Sequence, residues 1–498
     1  MTGPAENSAE AGARFAATLA DRLASYGARP FVEFEGRWYS GDELTARAAE
    51  IEEALAEAGV GAAEPVGVVV RNRIWHAAAV FGFVARRRPV VMINSYQSAA
   101  AIAREATAPA LAAVVADERD WTGELHAACV EADSAAIVCA PYTEILRKRD
   151  RGGPADETTA PGGLHILTSG TTGPPKRMAI GTAALAHTVL TMTGGRTAEP
   201  DEPPGLVYWP FGSIGICQLL AVPFLGTRMV LLEKFTVEEW VRAVRTYRVR
   251  TAGVQPAILR MLLEADVPPD DLASLEYLPG GSGPLEPELR AEFEQRYGIP
   301  LLWAYGATEF AGSVCAWTPD LHREYGNEKA GSVGRPMPGV EVRIVDPGTG
   351  AEVPVGSRGF LEARVAALGP RWIRATDLAS RDADGFVTIH GRADGAINRG
   401  GFKILPERVR EVLLRHPSVL DACVVAVPDQ RLGQVPFAAV ELRSGHPSPD
   451  PADLRALVRE ELPRHHVPVS VAVLDQLPRN AAMKVRVDAV AALYGHRS

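Results

Sequence analysis

The segment that decides the interpretation of this sequence is Leu167-Thr168-Ser169-Gly170-Thr171-Thr172-Gly173-Pro174-Pro175-Lys176-Arg177. It follows a short apolar run at 164–167, which predicts a buried strand, and it precedes a segment at 182–192 that predicts a helix. Glycines let backbone N–H groups approach an anion, and the hydroxyls and the lysine supply further donors. A polyphosphate needs such donors, although the spacing is not that of a Walker loop. A flexible surface turn is the alternative, and the rest of the chain decides between the two.

The composition indicates a globular protein with more than one domain. A chain of 498 residues exceeds one ordinary domain, and 47% hydrophobic with 23% charged residues is usual for a soluble fold. The formal charge of −9, with both signs mixed along the chain, argues against a nucleic-acid partner. Five widely spaced cysteines predict reduced thiols and a cytoplasmic location. We expect neither a signal peptide nor a membrane span.

Strand-like apolar runs alternate with helical segments between residue 40 and about residue 331. The run at 66–70 is followed by a helical segment at 74–84, and the run at 89–93 by one at 99–107. Strands that are apolar throughout predict a parallel sheet covered on both faces, in which ligands bind beyond the carboxyl ends of the strands. Further strands are predicted at 111–115, 135–139, 205–209, 229–232, 251–254, 275–278 and 301–303.

The pattern changes after residue 331. Runs at 340–345, 359–365 and 386–389, separated by Gly, Pro and Asp turns, predict a small antiparallel β unit. Beyond a polar junction at 391–395, a hairpin, helices and strands predict a small α+β unit. We therefore predict an α/β protein with an N-terminal domain at 1–393 and a C-terminal domain at 394–498.

Small and polar residues follow four of the predicted strands. Because the carboxyl ends of parallel strands meet at one edge of a sheet, these four segments predict a common pocket. The segments are 168–176, 210–215, 280–284 and 305–309.

In their order and spacing, the motifs of this chain resemble those of the adenylate-forming superfamily of acyl-CoA synthetases, adenylation domains and luciferases. The resemblance covers about residues 66–487. It includes the loop at 168–176, the aromatic-Gly-x-Thr-Glu motif at 305–309, Gly-Ser-Val-Gly-Arg-Pro-Met-Pro at 331–338, Asp377, the junction at 391–394 and the segment at 478–484.

The resemblance implies an enzyme that uses ATP, Mg²⁺ and coenzyme A to activate a carboxylic acid. The carboxylate attacks the α-phosphate of ATP, which gives an acyl-adenylate and pyrophosphate, and the acyl group then passes to a thiol. Charge crowds between two anions in the first step, so preorganised donors are needed. The residues to which the resemblance gives catalytic roles are Lys176, Thr308, Glu309 and Lys484.

The resemblance also implies the nucleotide contacts. Glu309 and Thr168 bind Mg²⁺, a cation that prefers oxygen ligands, and Tyr305 stacks on adenine. Asp377, assisted by Arg392, accepts the ribose hydroxyls. The other implied nucleotide-binding residues are Ser169, Gly170, Thr171, Thr172, Gly173, Lys176, Gly281, Ser282, Gly283, Gly306, Ala307 and Thr308. From the residues alone, Glu309 as a solvated acid, Asp377 as a turn cap and Lys484 as a surface lysine stay open.

For the second step, the resemblance implies a mobile C-terminal domain that rotates about Asp394. Lys484 then leaves the site, and Gly400, Gly401, Phe402 and Lys403 form a channel for the thiol. Coenzyme A is the expected acceptor. The phosphopantetheine arm of an acyl carrier protein is the alternative.

Four positions depart from the superfamily pattern. Arg177 and Met483 stand where glycines are usual, Ala375-Thr376 replaces Thr-Gly, and Gly395 replaces a second acid. None of these changes removes a charge that the first step needs, so we expect activity.

The turn at 211–214 predicts the class of acid. A domain that activates amino acids needs a buried aspartate for the substrate ammonium group, and this turn has no acidic residue. Gly212 and Ser213 stand where the resemblance leads us to expect a bulky residue and a histidine. We therefore expect a bulky, largely apolar acid without an α-amino group. Its predicted contacts are Trp209, Phe211, Gly212, Ser213, Ile214, Ala304 and Val314.

Two other classes of protein stay open at this point. A nucleotide-binding protein with degenerate catalysis would bind ATP without exchanging pyrophosphate, and a phosphotransferase would release ADP rather than AMP.

Overall fold

The computed structural model describes residues 8–95, 97–107, 110–150, 163–168, 176–199, 201–211, 215–281, 283–307, 310, 312–393, 395–399, 402–429, 432–480 and 483–495. The described chain forms two compact units that divide between residues 252 and 253. Five cysteines lie within these residues, and all are buried free thiols. No helix in these ranges has both the length and the hydropathy to cross a bilayer.

The first unit is built on a mainly parallel sheet covered by helices. Its strands are β1 (Pro30–Phe34), β2 (Arg37–Ser40), β3 (Val66–Val70), β4 (Val90–Asn94), β5 (Ala113–Asp117), β6 (Ala135–Ala140), β7 (Glu144–Arg147), β8 (Leu164–Thr168), β9 (Lys176–Ile180), β10 (Gly205–Val207) and β11 (Met229–Leu231). Its helices are α1 (Ser8–Tyr26), α2 (Gly41–Glu57), α3 (Ile74–Ala85), α4 (Ala99–Thr107), α5 (Gly123–Glu131), α6 (Thr182–Thr193), α7 (Gly215–Leu225) and α8 (Val237–Tyr247).

The strand order of the larger sheet is β7-β6-β5-β3-β4-β8-β9. Its inner pairs are parallel, and its two edge strands pair antiparallel with their neighbours. Every residue of β3 and β6 is buried, as expected of parallel strands covered on both faces. A smaller sheet has the order β10-β11-β1-β2. The predicted bounds of β3 and α4 agree with the structure.

The second unit combines a short parallel pair, an antiparallel sheet and a small α+β region. Its strands are β12 (Leu278–Gly280), β13 (Leu301–Ala307), β14 (Gly312–Ala316), β15 (Arg335–Pro336), β16 (Val340–Val345), β17 (Gly359–Val365), β18 (Ile373–Arg381), β19 (Val387–Arg392), β20 (Ile397–Arg399), β21 (Phe402–Ile404), β22 (Val419–Asp429), β23 (Gly433–Leu442) and β24 (Val471–Leu474). Its helices are α9 (Pro256–Glu264), α10 (Pro287–Tyr297), α11 (Pro319–Tyr325), α12 (Pro406–Leu413), α13 (Pro451–Glu461) and α14 (Val487–Gly495).

Three sheets organise this unit. Strands β12 to β15 form one sheet, β16 to β19 form an antiparallel meander, and the third has the order β21-β20-β23-β22 with β24 parallel to β23. The prediction of parallel α/β sheets, a small antiparallel β unit and a terminal α+β unit is confirmed. The predicted boundary residue, Asp394, lies outside the described residues, and a division there stays a prediction.

Some elements differ from the sequence prediction. The segment 251–254 was predicted as a strand, but it forms only bridges, one of them between Val254 and Gly280. Strand β18 was not predicted, since only Ala375 and Ala379 in it are buried and its other positions are polar or half-buried. Strand β9 was also missed, because it begins with Lys176 and Arg177 directly after two prolines.

Candidate active site

Strands β8 and β9 form a hairpin that brackets the predicted phosphate loop. Thr168, the last residue of β8, is the register partner of Lys176, the first residue of β9. The loop therefore begins and ends at adjacent positions, at the carboxyl end of a strand that pairs parallel with β4. Such strand ends are where α/β sheets bind ligands. The loop residues at 169–175, with Ser169, Gly170, Thr171, Thr172 and Gly173 among them, lie outside the described residues.

Asn72, two residues after the end of β3, holds the turn that carries the predicted acid contacts. Its side-chain nitrogen donates to the Trp209 carbonyl at 2.9 Å, and its side-chain oxygen accepts from the Phe211 N–H at 3.0 Å. All three residues are buried, and Asn72 is only 1% exposed. At Gly215, where α7 begins, a Cβ would lie 1.9 Å from the Trp209 carbonyl oxygen, so glycine alone fits. Gly212, Ser213 and Ile214 lie outside the described residues.

We expect the substitution Asn72→Ala to lower the free energy of unfolding by about 2 kcal/mol or more, because it removes two buried hydrogen bonds to backbone groups. The measurement is urea unfolding followed by tryptophan fluorescence. Asn327→Ala, at an exposed turn, is the matched control and should change stability by less than about 0.5 kcal/mol. Equal stability of the two variants would show that Asn72 does not hold this turn.

Tyr305 and Asp377 are joined in the second unit, although 72 positions separate them in sequence. The Tyr305 hydroxyl on β13 donates to Asp377 Oδ2 on β18 at 2.6 Å. Arg392 on β19 is the register partner of Asp377. Asp377 lies within a strand, so it does not cap a turn. An aromatic face beside a carboxylate offers a stacking surface for a base and acceptors for ribose hydroxyls, so these residues fit a nucleoside.

The predicted glycine segment after β12 packs closely on β13. The carbonyl of Gly283 accepts from Trp303 Nε1 at 2.9 Å, and a Cβ on Gly281 would lie 3.0 Å from the Ala304 carbonyl oxygen. A Cβ on Gly306 would lie 2.3 Å from the Gly312 carbonyl oxygen, so strand packing alone already requires glycine there. Ala307 is the register partner of Gly312. Ser282, Thr308 and Glu309 lie outside the described residues.

Val314 is fully buried on β14, within an apolar cluster that includes Phe310 and Val342. Its contact with an acid stays a prediction. Across the described ranges, no group of three or more His, Cys, Asp or Glu side chains could hold a metal ion. Of the predicted Mg²⁺ ligands, Glu309 lies outside these ranges.

The predicted catalytic lysine lies on a tight loop at 478–486. The Asn480 N–H donates to the Lys484 carbonyl at 2.9 Å, and the Lys484 N–H donates to Asn480 Oδ1 at 3.0 Å. Met483 has a φ of +58°, a conformation that favours glycine. Lys484 is exposed by surface area, yet desolvation of its ammonium group lowers its pKa. Among the predicted thiol-channel residues, Phe402 and Lys403 begin β21, and Gly400 and Gly401 lie outside the described residues.

The second unit contains a cluster of six buried or half-buried charges that was not predicted from the sequence, and we call it the ionic cluster. Asp421 accepts from Arg410 at 2.7 Å and from Arg479 at 2.6 Å, and Arg479 also donates to Glu441 at 3.0 Å. Glu286 forms ion pairs with Arg260, at 2.6 Å, and with Arg410. The cluster comprises Arg260, Glu286, Arg410, Asp421, Glu441 and Arg479. The only available signal was the presence of Asp421 and Glu441 in otherwise apolar strands.

Family comparisons agree with this architecture. The chain matches the family model described as AMP-binding enzyme at residues 19–368, and the model described as AMP-binding enzyme C-terminal domain at residues 409–484. The chain therefore belongs to the AMP-binding enzyme family, which confirms the predicted membership of the adenylate-forming superfamily.

Individual relatives indicate the class of enzyme within this family. The chain is 29% identical to an indoleacetate–CoA ligase of Aromatoleum aromaticum (strain DSM 19018 / LMG 30748 / EbN1), over 72% of each chain. It is 27% identical to a 2-succinylbenzoate–CoA ligase of Bacillus mycoides (strain KBAB4), over 92% of this chain and 94% of the relative. The solved amide bond synthetase McbA of Marinactinospora thermotolerans superposes with a TM-score of 0.77 at 25% identity, over 96% of this chain and 99% of that one. The predicted enzyme class, an ATP-dependent acid–thiol ligase that forms AMP, is confirmed.

Proposed function

We propose that this chain is an AMP-forming acyl-CoA ligase that activates a bulky carboxylic acid without an α-amino group. The observation that carries the proposal is the Tyr305–Asp377 hydrogen bond of 2.6 Å, which sets an aromatic ring beside a carboxylate in a chain of the AMP-binding enzyme family. The test is ATP–pyrophosphate exchange against a panel of carboxylic acids. Exchange with apolar ring or branched acids supports the proposal, whereas ADP release or the absence of exchange contradicts it.

Each residue group has a distinct task in the proposed reaction. ATP supplies the α-phosphate to which the acid becomes joined. The segment between Thr168 and Lys176 neutralises the outer phosphates. Glu309 and Thr168 would hold Mg²⁺, which would supply further positive charge against the triphosphate. Tyr305 and Asp377 fix the nucleoside. The carboxylate is oriented by the turn that Asn72 holds, and Lys484 donates to the charge that develops between acid and phosphate.

We expect Tyr305→Phe to raise the KM for ATP about tenfold with little change in kcat. The ring that stacks on the base is kept, but the hydroxyl that orients Asp377 is lost, and a hydrogen bond to a charged group contributes about 1.5 kcal/mol or more. Steady-state exchange kinetics measure both constants. Tyr142→Phe is the matched control, because the Tyr142 hydroxyl donates to Glu118 at an exposed site. A KM for ATP that equals the control's would contradict the assignment.

The acid pocket is proposed from the turn that begins at Trp209. Two large buried side chains, Trp209 and Phe211, bound a turn whose next residues in sequence are Gly212 and Ser213. Small side chains at these two positions leave volume for a bulky acid, and the lack of an acidic residue leaves an ammonium group unpaired.

We expect Gly212→Trp to abolish activation of the bulky acid and to spare a small acid such as acetate, since an indole would fill the proposed volume. The exchange assay with both acids gives the ratio of the two rates. Equal loss on both acids would mean that Gly212 does not face the substrate.

The molecule that accepts the acyl group in the second step is also a proposal. We propose coenzyme A, because relatives across most of the chain are named CoA ligases. Mass spectrometry of the products with coenzyme A, an acyl carrier protein or a simple amine separates the three acceptors. The amine is included because an amide bond synthetase shares this fold. A cytoplasmic location also stays a prediction.

A further inference from the structure

The ionic cluster reaches the loop that carries Lys484 through one side chain, Arg479. The Arg479 guanidinium donates to Asp421 at 2.6 Å, to Glu441 at 3.0 Å and to the Met483 carbonyl at 3.2 Å. These three acceptors lie on two strands and on the loop itself. A planar guanidinium can make such contacts together because its donors point in fixed directions.

The two carboxylates need a cation between them. Asp421 on β22 and Glu441 on β23 are direct register partners, and like charges at opposite positions of a strand pair repel. Both side chains are almost fully buried, with exposures of 4% and 10%. Arg479 satisfies both, so the position of its guanidinium is fixed by two strands of a sheet.

The peptide unit between Met483 and Lys484 is held at both of its polar atoms. Its carbonyl accepts from Arg479 at 3.2 Å, and its N–H donates to Asn480 Oδ1 at 3.0 Å. Met483 lies at positive φ, where a residue with a Cβ does not stay without support. Together, Arg479 and Asn480 supply this support directly before the lysine.

The other end of the cluster is attached to different elements of the same unit. Arg260 on α9 lies 3.7 Å from Asp421, and Glu286, immediately before α10, pairs with Arg410 on α12. The chain of ion pairs therefore runs from two helices near residues 260 and 286 to the loop at 478–486.

We propose that Arg479 is a positioning residue for Lys484, which fixes the Met483–Lys484 peptide unit against the sheet carboxylates so that the lysine ammonium reaches the reacting carboxylate and phosphate. This inference rests on the role of Lys484 in the proposed function. A misplacement of about 1 Å in a catalytic group can cost about a hundredfold in rate, so the effect is measurable.

The test is a double-mutant cycle on the ATP–pyrophosphate exchange rate. We expect Arg479→Met to lower kcat about tenfold or more with a change of less than about twofold in the KM for ATP. In the Lys484→Ala background, the same substitution should change kcat by less than about twofold, because its effect acts through the lysine. Arg415→Met, which breaks an exposed ion pair with Glu461, is the matched control and should leave kcat unchanged.

Two further variants separate positioning from folding. Arg479→Lys keeps a cation between the carboxylates but loses the guanidinium donor that reaches the Met483 carbonyl. Compared with Arg479→Met, it should therefore recover the unfolding temperature of the native chain but not its kcat. Asn480→Ala leaves the ionic cluster intact and should show the same non-additivity with Lys484→Ala. If Lys484→Ala lowers the rate but the losses multiply in both cycles, the positioning role is wrong. If Lys484→Ala itself leaves the rate unchanged, the proposed lysine role has failed, and this inference fails with it.

Discussion

Replacing Lys484 with alanine is expected to lower the rate of acyl-adenylate formation by about a hundredfold or more. That is the scale for removing a single donor aimed at charge that develops in a transition state. The loop of this lysine is held by a hydrogen bond to Asn480, and desolvation lowers the pKa of its ammonium group. Stopped-flow or exchange kinetics at saturating acid measure the loss.

The loss should be confined to the first step. When the acyl-adenylate is supplied ready-made, Lys484→Ala should transfer the acyl group to coenzyme A at a rate within about threefold of the native chain. Lys148→Ala, which breaks an exposed pair with Glu57, serves as the control for removing a lysine. An adenylation rate close to that of this control would remove Lys484 from the mechanism.

The second large effect concerns stability. We expect Asp421→Asn to lower the free energy of unfolding by about 3–5 kcal/mol, because it leaves three buried or half-buried arginines facing a neutral amide. Urea unfolding measures the change. Asp320→Asn removes a carboxylate from an exposed pair with Arg323 and should cost less than about 1 kcal/mol. Similar values for the two variants would contradict a tightly coupled cluster.

The same residue gives a pH dependence with a defined sign. Burial alone would raise the pKa of Asp421, but Arg410, Arg260 and Arg479 outweigh it and hold the pKa well below its usual range. A folded-state pKa below the unfolded value of about 3.9 stabilises the fold above that pH, and the contribution is lost as the pH falls further. The stability difference between the native chain and Asp421→Asn should therefore shrink below about pH 4. A constant difference down to pH 2 would argue against an ionised Asp421.

Local patterns were sufficient for elements whose residues are buried throughout. Strand β3 was predicted with its observed bounds because all five of its residues are apolar or glycine and all are buried. Helix α2 begins within the sequence Ser40-Gly41-Asp42-Glu43, whose first and last residues exchange hydrogen bonds as a capping box. Strand β18 gave no such signal, because its stability comes from pairing with β17 and β19 rather than from its own apolar residues.

The site residues also divide into those that could be predicted from the sequence and those that could not. Tyr305 and Asp377 were predicted separately by resemblance, and the structure joins them because β13 and β18 both belong to the second unit. Asn72 was not predicted, since a single asparagine after a strand has no local signature, although its position two residues after the end of β3 was a usable clue. The ionic cluster was beyond sequence analysis, because Arg260 and Arg479 are more than 200 positions apart and no periodic pattern relates them.

The ionic cluster sorts by sequence into two electrically balanced sets. Arg260 and Glu286 precede the predicted boundary at Asp394, and the remaining two cations and two anions follow it. If the segment after Asp394 turns away during acyl transfer, each parted surface bears equal numbers of opposite charges. Water can then hydrate both faces without a Coulombic imbalance, and the ion pairs can close again on return. The ionic cluster is therefore suited to repeated opening, whereas an apolar interface of the same size would expose apolar surface to water each time it opened.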